Sequence, residues 1–301
     1  MLNKNNVKIG CSPISWISDD EPSLGGVQIT WLQTLDEIVM GGYDGFEMGC
    51  AYPWNVEQLS KECHLRGDVQ LCNAWLNLRL TSRPLEETLE RFKKHRDFLY
   101  AMGAPVIGCG ECGVTIHMTP DIPLYTAPPI LNDQQFEALT KGLNECGRLA
   151  AEKGMLFGLH PHMGTGIQTA EEIDRVMKNT DPNLVGLILD TGHTAANGDD
   201  PAAQLEKLID RVRLLHIKDC NSSVVKKMKA EKLSFLEGVR NGLFAVPGDG
   251  DLVDWDGIFK VLDKHNYEGW IVVEAEQDPS VKNPFEYTKK AREYIRNKIG
   301  F

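Results

Sequence analysis

The stretch Leu184-Val-Gly-Leu-Ile-Leu-Asp-Thr-Gly-His193 decides the fold. Its apolar run shows no polar alternation, the pattern of a short strand buried on both faces, and it stops abruptly on Asp190 and His193. Strands of this kind form parallel sheets covered by helices. Three further peptides repeat the design, an apolar run closing on polar side chains: Leu159-His160-Pro-His162, Leu215-His216-Ile-Lys218-Asp219 and Val273-Glu274-Ala-Glu276.

Outward from these peptides, apolar or β-branched runs occupy 7–11, 45–48, 69–75, 105–109, 155–159, 184–189, 213–217 and 270–273. Segments with helical spacing and charged outer faces lie between and after them, at 30–40, 56–65, 85–102, 132–152, 170–177, 201–208, 255–264 and 284–297. Eight such strand and helix units in 301 residues predict a closed (β/α)₈ TIM barrel, read as one domain over 1–301. Punctuation agrees: Gly41-Gly42, Gly103, Gly154 and Gly269 stand just before strands, and Thr169 and Asp200 sit where helix N-caps belong. One connection is unusually long, an insertion after the seventh strand at about 220–254, which on this topology emerges at the strand C-terminal face and can cover a ligand. Its Lys226-Lys227-Met-Lys229 run reads as a solvated helical face.

A net charge of −11 argues against nucleic acid as a partner, because phosphate binding draws on an excess of lysine and arginine. No long apolar stretch and no signal-peptide pattern is present, so neither membrane insertion nor export is expected and the chain is expected to be cytoplasmic. Of the eight cysteines, Cys11, Cys72, Cys109 and Cys220 fall within or at the ends of apolar strands, where cysteine acts as a small hydrophobe; Cys109-Gly-Glu-Cys112 has no second pair of that spacing to complete a zinc site. The outer helices can support a homo-oligomer, and nothing in the pattern chooses its size.

In a TIM barrel the strand C-terminal ends build the active site. His160, Asp190, His216 and Glu274, one from each of four consecutive strands, can therefore surround one divalent ion. Mixed imidazole and carboxylate ligation without thiolate suits Mn²⁺ or Co²⁺, with Zn²⁺ a further candidate. A lone strand-end histidine is more often simply hydrogen-bonded. Several polar residues ending successive strands, however, would leave unpaired buried groups without a metal or substrate, at about 1–3 kcal/mol each.

The peptides Gly10-Cys-Ser-Pro-Ile-Ser-Trp16, Asp19-Asp20, Leu24-Gly-Gly26, His160-Pro-His-Met-Gly-Thr165, Gln168-Thr169, Leu189-Asp-Thr-Gly-His193, His216-Ile-Lys-Asp219, Val246-Pro-Gly-Asp-Gly250 and Val273-Glu-Ala-Glu-Gln-Asp-Pro279 resemble the inosose dehydratases of myo-inositol catabolism. The wider group is the xylose-isomerase-like barrels, which include sugar epimerases. The resemblance implies a metal held by Asp190, His216 and Glu274. The fourth ligand of that group, commonly a glutamate on the fifth strand, is replaced here by His160, and His162 or water is an alternative occupant. It also implies a small cyclic polyol ketone as substrate, 2-keto-myo-inositol, dehydrated to a trihydroxycyclohexane-1,2-dione through an enediolate.

Such a reaction needs a base for the α-proton and an acid for the departing hydroxyl. Glu274 is the candidate base, with His193 or His162 as acid; Lys218 and Glu111 are candidates to hold or orient substrate, and an ion pair with Glu274 or Glu276 is the plainer role for Lys218. Glu276 and Trp16 are candidate substrate contacts, whereas Trp54 and Trp75 are expected to pack. Two other functions remain compatible with the pattern: a metal-dependent sugar epimerase or isomerase, and a polyol-binding barrel without catalysis.

Overall fold

The structure, a computed structural model, describes residues 2–26 and 28–301. Eight parallel strands close into a barrel: β1 (Val7–Cys11), β2 (Gly45–Met48), β3 (Gln70–Leu78), β4 (Val106–Glu111), β5 (Leu156–Leu159), β6 (Gly186–Asp190), β7 (Val212–Ile217) and, last in the ring, β10 (Gly269–Val273), which pairs with both β7 and β1. Around them run α1 (Trp31–Met40), α2 (Val56–His64), α3 (Leu85–Ala101), α4 (Asp133–Ala151), α5 (Ala170–Lys178), α7 (Pro201–Leu208), α10 (Trp255–Lys264) and α11 (Pro284–Ile299). The expected closed (β/α)₈ barrel is present, with every anticipated strand and helix in its anticipated order.

Two layers of packing hold the ring. Cys72, Val106, Ile188, Leu214, Trp270 and Val272 fill the barrel interior, and a larger cluster including Leu35, Phe46, Leu139, Phe157, Ile258 and Ile295 seals the helices onto the strands. Local signals set the helix starts: Thr169 caps α5 with a reciprocal Glu172 bond, and Asp200 caps α7 just before Pro201.

Differences from the sequence reading concentrate where pairing or capping extends an element. β3 continues past residue 75 to Leu78 because β4 itself continues to Glu111 and pairs with it, so Trp75 lies within the strand. A short helix, α6 (Thr191–Asn197), follows β6 directly because the Asp190 side chain caps it. The insertion after β7 is folded: β8 (Asp219–Cys220) pairs antiparallel with β9 (Phe244–Ala245), enclosing α8 (Ser222–Glu231) and α9 (Phe235–Arg240). Lys226, Lys227 and Lys229 are exposed on α8, as the charge run suggested. No helix among the described residues is long and apolar enough to cross a membrane.

Candidate metal and active site

Sheet register brings the polar strand ends together. Asp190 closes β6 opposite His216 of β7, His216 pairs across β7 and β10 with Val272, and Glu274 follows just beyond that strand. His160 leaves β5 with its backbone N–H donating to the Cys109 carbonyl. As a result His160 Nε2 stands 3.1 Å from His216 Nδ1, each of these nitrogens is 3.7 Å from Asp190 Oδ2, and His216 Nδ1 is 3.1 Å from Glu274 Oε2.

The Asp190 carboxylate divides its work. Oδ1 accepts the backbone N–H groups of Gly192 and His193 at the start of α6, whereas Oδ2 is buried without a hydrogen-bond partner. Burial alone would push this carboxyl up; the Lys218 and His193 charges and the His160 and His216 rings hold it well below the usual carboxylate range. For His216 the balance runs the other way. Burial opposes its charge, yet Glu47 and Glu274 hold the imidazole well above its ordinary value. With an Asp190 oxygen that has no hydrogen-bond partner beside facing imidazole nitrogens, His160, Asp190 and His216 form a buried group whose ligand atoms lie close enough to hold a divalent cation, and Glu274 stands in overlapping groups with Glu47 and His216 and with Asp190 and His193.

Lys218 supplies a positive charge behind this group. It is fully buried, with Nζ 2.6 Å from Glu274 Oε1, 3.2 Å from Glu276 Oε2, 3.3 Å from Asp190 Oδ2 and 4.6 Å from the Phe244 ring centre. Burial disfavours its charge, but the Asp190 and Glu274 carboxylates hold it firmly as ammonium. The stem needs room: a Cβ on Gly192 would fall 2.6 Å from Lys218 Cγ, which accounts for glycine between Thr191 and His193. Glu276 is pushed up to about 8, chiefly by burial, with Glu274, Asp20 and Asp190 adding to the shift and Lys218 opposing it.

A cavity of about 150 Å³ opens above these residues. Glu47, His160, His216, Glu274 and Glu276, on or just past barrel strands, line what we call its floor, with Trp75 and His162 beside them, and the loop residues Asp20, His117 and Met118, which we call its rim, also line it. No lysine or arginine lines it among the described residues. His162 donates Nδ1–H to the Met163 carbonyl at 2.8 Å, which leaves Nε2 as the lone-pair nitrogen. Burial first, and the nearby Lys218 charge with it, keep that ring neutral, well below the ordinary imidazole value.

Other anticipated residues sit elsewhere. His193 lies behind the floor, its Nε2 3.3 Å from Lys218 Nζ and its ring against Phe244, and does not line the cavity. Glu111 ties loops together: it accepts from the Leu80 and Gly113 backbone N–H groups and the Thr81 hydroxyl, at 3.0, 2.7 and 2.7 Å. Trp16 packs in the core, its indole N–H donating to Glu37, so its ring is absent from the cavity lining; Trp75 lines it instead. Trp54 packs at the surface against His95 and Phe98.

Three residues outside the sequence reading enter the site. Glu47 Oε1 accepts from His216 Nε2 at 2.9 Å and from Asn73 Nδ2 at 2.8 Å, and Asn73 Oδ1 accepts from the Gly108 backbone N–H. A carboxylate within a four-residue barrel strand, and an amide inside the next, were available signals. His117, on the loop between β4 and α4, carried none.

Residues 35–298 match the family model described as xylose isomerase-like TIM barrel. The chain is 49% identical to an inosose dehydratase of Geobacillus thermodenitrificans over 300 residues and 48% identical to one of Clostridium beijerinckii over 301 residues, covering 100% of both chains in each case. Among solved structures it is similar to the IOLI protein with a bound zinc atom, with a TM-score of 0.73 at 15% identity, covering 97% of this chain and 98% of that one. It is also similar to a D-allulose 3-epimerase from Methylomonas sp. in complex with D-allulose, with a TM-score of 0.69 at 18% identity and coverage of 99% and 98%.

Proposed function

The chain belongs to the inosose dehydratases within the xylose isomerase-like TIM barrels, and on that premise we propose that it removes water from 2-keto-myo-inositol to give a trihydroxycyclohexane-1,2-dione. The observation that carries the reading is the pairing of a cation-fitting floor with a lining rich in carboxylates and free of lysine and arginine. Such a lining repels phosphate and suits a neutral polyol, whose hydroxyls donate to carboxylates and imidazoles.

His160, Asp190, His216 and Glu274 would hold the divalent ion, with Mn²⁺ or Co²⁺ the expected choice. When bound, it supplies Lewis acidity at the substrate carbonyl, which makes the neighbouring C–H more acidic. His162 takes the α-proton, because its ring is neutral and its Nε2 carries the lone pair. Glu276 gives a proton to the β-hydroxyl, being protonated through neutral pH and part of the floor. The C–H pair becomes the new double bond, the C–O bond breaks, and water leaves; ketonisation of the enol yields the dione. Glu274 is less free than His162, since Lys218 and His216 engage its two oxygens. Lys218 holds Glu274 and Glu276 in place.

The test is incubation of Mn²⁺- or Co²⁺-loaded protein with 2-keto-myo-inositol. An ultraviolet band of an enolised dione is expected. Conversion to an isomeric ketone without that band would make the protein an epimerase, and unchanged substrate would overturn catalysis on this ketone.

A further inference from the structure

Past Met163, whose carbonyl fixes the His162 tautomer, come Gly164 and Thr165, which no step above uses. In the structure they fasten the loop that carries His117. Ile116 N–H donates to the Gly164 carbonyl at 2.7 Å, Gly166 N–H donates to Val114 at 3.1 Å, and Thr115 bridges to Thr165. Gly164 adopts φ +78°, and a Cβ there would stand 3.1 Å from the His117 backbone nitrogen, so glycine allows the two loops to touch.

That contact sets the tautomer of His117. The Thr115 hydroxyl donates to the Gly164 carbonyl at 3.0 Å, so its one proton is committed and its oxygen accepts from His117 Nδ1–H. The lone pair of His117 is therefore on Nε2. The ring is buried, lines the cavity, and lies 4.9 Å from the His162 ring and 6.2 Å from Phe235, centre to centre. Its Nε2 has no hydrogen-bond partner among the described residues and is not sealed from solvent, in a ring that lines the cavity. Burial keeps the imidazole neutral, at about 4, as an acceptor requires.

We propose that His117 is a substrate-binding residue: its Nε2, aimed by Thr115, accepts a hydrogen bond from a ring hydroxyl of the cyclitol at the rim. This rests on the reading of the site as an inosose dehydratase. A hydroxyl held here lies beside His162, so His117 orients the ring and reports whether the position it contacts bears a hydroxyl.

His117→Phe keeps an aromatic ring beside His162 and Phe235 but removes the acceptor. Thr115→Val keeps the imidazole and removes the group that fixes its tautomer. Steady-state kinetics on 2-keto-myo-inositol, with thermal melting to verify folding, are expected to show KM raised about 5- to 100-fold in His117→Phe, a smaller rise in Thr115→Val, and kcat less affected in both. Active wild type with KM unchanged in His117→Phe overturns the proposal while leaving the dehydratase reading intact. A fall in kcat alone overturns it too, moving His117 from binding to proton transfer. If His117→Phe does not fold, Thr115→Val decides, an unchanged KM counting against the proposal. Wild type inactive on this ketone overturns both readings together.

Discussion

His216 and His117 are buried almost equally, with 4% and 5% of their surface exposed, yet their surroundings drive them in opposite directions. Around His216, on a barrel strand, Glu47 and Glu274 outweigh burial and raise the imidazole well above its ordinary value. At His117, on a loop, burial meets no countering carboxylate and the value falls to about 4. Burial sets the cost of charge; neighbouring charge decides its sign. The surroundings of His216 thus favour positive charge, and those of His117 favour a neutral ring.

The largest change should come from neutralising the Asp190 carboxylate beside His160 and His216. Asp190→Asn preserves an Oδ1 cap for α6 and withdraws the anionic ligand; turnover is expected to fall by on the order of 10³-fold, with metal analysis of purified protein showing an emptied site. Metal content at wild-type levels would remove Asp190 from the ligand set.

Next comes Lys218→Met, which leaves Asp190, Glu274 and Glu276 without their buried ammonium. Denaturant unfolding should show a loss of about 3–5 kcal/mol, the range for breaking a buried ion pair from one side. A loss below about 1 kcal/mol would mean the carboxylates have other compensation.

The acid role of Glu276 predicts a pH limb. Its folded value of about 8 lies above the ordinary carboxyl value of 4.5, so the folded state binds the extra proton between those limits. Stability linked to this group is full below the lower value and is lost as pH rises through about 8. Turnover should decline over the same upper range as the acid form disappears, and a kcat profile flat through pH 8 would take the acid role from Glu276.

At the rim the smallest effect is expected. Met118 is 44% exposed, so Met118→Ala should change stability by within about 0.5 kcal/mol and leave metal content unaltered. Loss of metal from this variant would erase the distinction between floor and rim.

The barrel was legible because its evidence is local: apolar runs, helical spacing, glycine stops and N-caps each lie within a few residues. The four strand-end residues expected to hold the ion were legible for the same reason, since parallel strands in a closed ring place their C-terminal ends on one face. Lys218 was visible as polar, with an ion pair foreseen, but its full burial among three carboxylates was not.

What the sequence by itself determined is therefore the architecture and the chemistry of the strand ends, because alternation and termination are written along the chain. Tertiary structure decided the rest. Glu47 reaches His216 across 169 residues of sequence, a contact made by closing the ring. His117 enters the cavity because Gly164 lets two loops meet, and Trp16 faces the core where Trp75 faces the ligand space. These outcomes depend on register, ring closure and loop packing, which join residues distant in the chain and leave no local periodicity to read.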